Sequence, residues 1–178
     1  MAAAEFGLPI APGTLQNLKS CPIDDRTWND ESRSLFLRLL ASGPALLQVW
    51  EEIDFVDIPG RLIPEWLAIR NRPSASAAHR YTIDRHSVEV VTRLGRETPR
   101  GNRYDDRHYQ ALLMAGILHD IGKRPGVADH AAEGARHASM VLKRMGFDRD
   151  IIWWVTLLVR EHLTLSEFAT GQNPNDPN

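Results

Sequence analysis

Residues 112–123 read LLMAGILHDIGK. Together with the preceding HYQA they form an apolar, helix-like stretch, the most apolar in the chain and the one expected to be most buried. His119 and Asp120 stand side by side near its end. Gly122 reads as the stop signal, and Lys123 follows directly. Imidazole plus carboxylate is a ligand set for a divalent metal ion. A helix C-terminus also carries partial negative charge from its free carbonyls, which favours a cation there.

Working outward, further helices flank this one. Thr82 is placed to cap IDRHSVEVVTRL, with Ile83, Val90, Val91 and Leu94 along one side. GRETPRGNRYDD is a polar connection. KRPGVAD is a tight glycine-containing loop, and HAAEGARHASMVLKRMG is a helix stopped by Gly146. Asp148 opens DRDIIWWVTLLVREHL, apolar around most of its circumference. Upstream, Asn29 or Asp30 caps a helix whose apolar face holds Leu35, Phe36, Leu39 and Leu40. Gly43-Pro44 ends that helix and starts another, carrying Leu46, Leu47, Val49 and Trp50. Pro59-Gly60 breaks the chain again before the short segment RLIPEWLAIR, and residues 71–81 form a loop. No strand and no internal repeat is evident. The expected fold is all-α, a bundle of about seven helices with short connections.

Composition narrows the function classes. The chain has 178 residues, enough for one domain with a sizeable core, and 43% of them are hydrophobic. Net charge is -2 with acids and bases interspersed, so nucleic acid is not an expected partner. Cys21 is the single cysteine, which rules out an intrachain disulfide and a cysteine-rich zinc site. A reducing, cytoplasmic location is expected. No apolar run is long enough to cross a bilayer, so no membrane association is expected. Residues 1–28 read as a linker or N-terminal extension, and residues 29–178 as one domain. GQNPNDPN at the end is loop-like, as if the chain were a piece of a longer protein.

The candidate site collects residues from several helices. Adjacent helical positions point about 100° apart, so His119 and Asp120 do not share a face, yet both reach an ion beyond the side of the helix. His86 lies one turn before Val90, pointed inward if that side packs on LLMAGIL. His130 opens the next helix after a short loop, and His162 closes the last one. A lone histidine beside an apolar face is commonly a hydrogen-bonded core residue. Several histidines buried with a carboxylate are costly unless an ion satisfies them. His79, His108 and His137 read as structural, with His137 on the basic, solvated side of its helix or at most supporting the site. Trp153-Trp154 reads as core, and Arg93, Arg96, Arg100 and Arg103 as a solvated basic edge.

His86 followed by His119-Asp120 in a helical context resembles the HD phosphohydrolase superfamily. The ordered blocks RLIPEW, HRYTIDRHSVE, GILHDIGK, DHAAEGA and LVREHLTLSEFAT resemble more closely the uridylyl-removing half of the bifunctional [protein-PII] uridylyltransferase/uridylyl-removing enzymes. The resemblance covers roughly residues 30–178. It implies metal ligation by His86, His119 and Asp120, with His130 a further ligand or phosphate contact and His162 a ligand. It implies that Lys123 binds phosphoryl oxygens, so the catalytic set is His119, Asp120, Lys123 and His130.

The implied reaction is hydrolysis of UMP or AMP from a tyrosine of a nucleotidylated PII signal protein, in nitrogen regulation. The implied cofactor is a divalent ion that activates water. Carboxylate, water and phosphate partners favour Mg or Mn, and histidine ligands also admit Fe or Zn. The remaining domains of a parent enzyme are implied as partners. Three departures stand against the full pattern. The family's last metal aspartate would follow the VREHL helix, and Asp176 is a loop residue and a poor substitute. The nucleotidyltransferase core has no counterpart, nor do ligand-sensing domains. The KRPGVADH loop is one residue longer than the family's, which loosens the placement of His130. The alternatives are a general HD nucleotide phosphohydrolase and a catalytically silent regulatory helical domain.

Overall fold

The computed structural model describes residues 1–23, 27–74, 80–97 and 106–164. Among these residues it is all-helical, with nine α-helices and one 3-10 segment. In chain order these are α1 (Ala2–Phe6), α2 (Pro12–Ser20), α3 (Asp30–Leu40), α4 (Ala45–Phe55), α5 (Ile58–Leu62), the 3-10 segment Pro64–Ala68, α6 (Ile83–Glu97), α7 (Arg107–Leu118), α8 (His130–Arg144) and α9 (Arg149–Arg160). No helix among them is long and apolar enough to cross a membrane.

The caps explain the boundaries. Asn29 accepts from the Ser32 amide while Ser32 Oγ accepts from the Asn29 amide, a reciprocal cap on α3. Asp106, Asp129 and Asp148 cap α7, α8 and α9 by accepting first-turn amides. Gly146 takes a left-handed φ of 74° just past α8, a conformation glycine adopts without steric cost.

α7 is the central helix. Leu113, Met114, Ile117 and Leu118 are fully buried, and α6, α8 and α9 pack around it. α3 contributes Phe36, Leu37 and Leu40, and α4 contributes Leu46, Val49, Trp50 and Ile53, to the same core.

Several details differ from the expected ones. On α3 it is Leu37 that faces inward, while Leu35 lies at the surface. On α6 the core face is Ile83, Val88 and Val91, and Val90 and Leu94 are only half-buried. Pro59-Gly60 lies inside α5, because proline fits in a first turn where its missing N–H has no role. The N-terminal stretch is not featureless: α1 buries Ala4 against the core, and the Ile10 amide donates to Glu52 on α4 at 2.6 Å. Trp153 is 62% exposed, so α9 is amphipathic, not apolar all round. His137 is buried rather than solvated, and bonds Glu133 at 2.8 Å. Burial holds the His137 imidazole below its usual pKa, aided by nearby Arg124. Arg136 and His137 together push Glu133 down to about 2. His79, Arg100, Arg103 and Asp176 lie outside the described residues.

One clasp joins α8 to the 3-10 segment. Arg144 on α8 donates twice to Glu65 in the 3-10 segment, at 2.9 and 2.6 Å. Burial alone would raise the Glu65 pKa, but the guanidinium outweighs it and holds the carboxyl below its ordinary 4.5. A depressed folded-state pKa means the clasp stabilises fully above the unfolded value and fades as pH falls through the folded one. Glu65→Gln is therefore expected to cost about 1–2 kcal/mol at pH 7. The gap from wild type should shrink on acidification below 4.5. Urea melts at both pH values check this, and a gap that does not depend on pH would contradict it.

Candidate metal centre

The end of α7 sets the site. His119 is the C-cap residue and Asp120 the next, so both leave the helix where its last carbonyls have no intrahelical donor. Gly116 uses one of those carbonyls to accept from His119 Nδ1 at 2.9 Å. The Val159 carbonyl at the end of α9 does the same for His162 Nδ1 at 2.7 Å. Each backbone contact fixes the ring tautomer, with the proton on Nδ1 and a lone pair on Nε2. Both Nε2 atoms face Asp120: His119 lies 3.4 Å from Oδ2, and His162 lies 3.4 Å from Oδ1.

The other two histidines close the ring of ligands. His86 on α6 stacks edge-on against His119 with centroids 5.2 Å apart, and His130 at the start of α8 lies 5.6 Å from His162. Ligand atoms gather into two groups, His86–His119–Asp120 and Asp120–His130–His162, each within 4.8 Å. Asp120 belongs to both. All five metal-ligand candidates read from the sequence therefore fall into these two groups, joined through Asp120.

The electrostatics suit a cation. Asp120 is 1% exposed. Burial pushes its pKa up, but the His119 and His162 rings, where they carry a second proton, and the Lys123 ammonium outweigh that and hold it ionised, far below the usual carboxylate range. Lys123 Nζ donates to Oδ2 at 2.8 Å. His162 moves the opposite way: burial lowers its pKa, and Asp120 raises it further than burial lowers it. For His130, burial and the nearby Lys123 together lower it. Asp120 Oδ1, His130 Nε2 and His162 Nε2 are buried without a hydrogen bond. Buried polar atoms without partners are rare and costly, and here they are the atoms that would ligate a cation.

The loop between Asp120 and α8 brings His130 in. Gly122 is central to it, though not as the helix stop read from the sequence, since α7 has already ended at Leu118. Its φ is not in the left-handed region. Instead a Cβ there would overlap the His130 carbonyl oxygen and the Gly134 amide, and would lie 2.8 Å from Gly134 Cα. Gly122 is needed because the backbone of α8 passes directly against it.

Sequence reasoning missed the walls of the site. A cavity of about 460 Å³ opens over the cluster, with Val90, Leu94, Leu112, Ala115, Leu158 and Leu163 as its apolar lining. A signal was available: Leu112 and Leu158 are apolar positions off the core stripes of α7 and α9, 40% and 41% exposed.

The HD domain family model matches residues 83–176, which takes in every one of these candidate ligands. The chain belongs to the HD domain family. It is similar to bifunctional uridylyltransferase/uridylyl-removing enzymes from Streptomyces coelicolor (39% identity over 178 residues) and Mycobacterium tuberculosis (37% over 177), in each case across 99% of the chain. The similar enzyme of Corynebacterium glutamicum is 31% identical over 177 residues, 98% of the chain. This HD chain spans only 20%, 21% and 24% of these curated relatives' lengths. No solved structure matches it.

Proposed function

We propose that this HD domain hydrolyses a phosphodiester with divalent metal, and that its substrate is a PII signal protein carrying UMP or AMP on tyrosine. The observation that carries the reading is the pair of three-residue ligand groups sharing buried Asp120. The uridylyl-removing activity for which the relatives are named supports the substrate. A shared carboxylate suits two ions rather than the single one expected from the sequence. With four imidazoles and one carboxylate as donors, Mn fits better than Mg, and Fe or Zn is admitted.

When bound, divalent metal would supply an acidified water as nucleophile and positive charge to polarise a phosphoryl oxygen. His86, His119, Asp120, His130 and His162 would hold it. Lys123, 2.8 Å from Asp120 at the cavity edge, offsets negative charge as the phosphorus gains its fifth oxygen. A phenolate leaves with little acid assistance, which matches a site without a second carboxylate among the described ligands. The remaining domains of a longer enzyme would act with this one.

The test is calorimetric Mn²⁺ titration of the chain, followed by UMP release from uridylylated PII. About two ions per chain and Mn²⁺-dependent release are expected. No binding at millimolar Mn²⁺ together with no release would leave a silent helical domain as the reading.

A further inference from the structure

The cavity over the metal cluster has two unlike ends. His86, His119, Asp120, Lys123 and His162 line it together with the apolar Val90, Leu94, Leu112, Ala115, Leu158 and Leu163, and the helical positions of the apolar set, Leu163 apart, place it away from the candidate ligands. Helical spacing explains the division. Leu112 and Ala115 precede His119 by seven and four residues on α7, and Val90 and Leu94 follow His86 by four and eight on α6. Leu158, on α9, precedes His162 by four, just past the helix end. At a rise of about 1.5 Å per residue, the apolar walls run some 6–12 Å from the ligands along three helices at once. Leu112 and Leu158 are large, apolar and 40% and 41% exposed, so the slot is open to an incoming group.

We infer that this slot is a subsite for an aryl group esterified directly to the phosphorus, so that the leaving phenol, not the nucleobase, lies between α6, α7 and α9. The inference rests on the proposed phosphodiesterase reading. The walls decide between the two rings. Among the described residues, no side chain on the apolar end carries a hydrogen-bond donor or acceptor. A pyrimidine placed there would lose water from its ring amide and carbonyls and find no partner, a costly burial. A phenyl ring has only its ester oxygen, which stays at the phosphorus and the polar end. The rest of the ring gains from apolar contact. The nucleoside then extends away from the slot, towards solvent.

The test is binding, independent of turnover. Phenylphosphonate and methylphosphonate share the anionic head and differ only in the ring. Calorimetry on the full chain with Mn²⁺ is expected to give phenylphosphonate at least a tenfold lower Kd. Leu112→Ser and Leu158→Ser, at half-exposed positions, should each cut that preference severalfold while leaving methylphosphonate affinity unchanged. UMP affinity should be the same in wild type and variants. Equal binding of the two phosphonates by the wild-type chain would overturn the inference, whether or not a variant folds. So would a loss of UMP affinity in the serine variants, since that places the base in the slot. If the chain binds Mn²⁺ and hydrolyses diesters but lacks the phenyl preference, the subsite fails and the hydrolase reading stands.

Discussion

Asp120→Ala is expected to abolish Mn²⁺ binding and to lower phosphodiester hydrolysis by at least about a thousandfold. The size follows from the position of this carboxylate in both ligand groups. Losing it removes the only anionic donor from each, leaving neutral imidazoles to hold a dication against the nearby Lys123 ammonium. Metal catalysis of this kind supplies several kcal/mol of barrier lowering, and about 4 kcal/mol corresponds to three decades of rate. His130→Ala makes the informative comparison. It removes a donor from the second group only, so stoichiometry should fall from about two ions to one while His86, His119 and Asp120 still bind. Metal titration and initial rates read both variants. An Asp120→Ala protein that still binds two ions would sink the shared-ligand centre.

Gly122→Ala should cost more stability than any other single methyl group added to this chain's glycines near the site. The added carbon meets backbone, the His130 carbonyl and the Gly134 amide, and backbone at the start of a packed helix has no rotamer to change. Relief requires α8 to move away from the turn after α7. That movement breaks α8 packing against α9 and carries His130 from Asp120. A loss of about 3–5 kcal/mol is expected, in the range reserved for forced main-chain shifts and overpacked cores. At this chain length it would appear as a Tm drop of roughly 6–20 °C. Gly134→Ala is the milder control, since its Cβ meets the Val159 side chain at 3.2 Å and the His119 carbonyl at 3.4 Å. A Gly122→Ala protein melting within two or three degrees of wild type would contradict the close crossing described above.

The fold class was legible because helix signals agree across levels: Asn29 and Asp148 at helix starts, glycine past one end, and a buried α7 with no competing pattern. The five ligand candidates were legible because they are chemically unusual residues at helix ends, where sequence spacing limits how far apart they can fall. What escaped was set by neighbours instead of by local sequence. Val88, not Val90, faces the core because α6 turns its other side to the site. His137 is buried because Glu133, one turn earlier, gives it a partner. Trp153 looks like core by composition, and only the packing direction of α9 puts it at the surface. Gly122 carries the same letter as a helix stop, and its role is visible only once α8 lies across it. The α1 and α2 helices are short, and short helices are marginal without tertiary contacts that no local pattern reveals.

Among the described residues, the hydrogen bonds that aim His119 and His162 come from backbone carbonyls three residues earlier, Gly116 and Val159. Substitution of surrounding residues therefore leaves the aim of both rings intact so long as the helices persist. Vulnerability lies in insertion and deletion. One residue gained or lost inside either three-residue step would swing the imidazole by about 100° around its helix axis. Divergent copies of this domain can be expected to drift freely in side-chain identity around the ligands while keeping these two intervals at constant length.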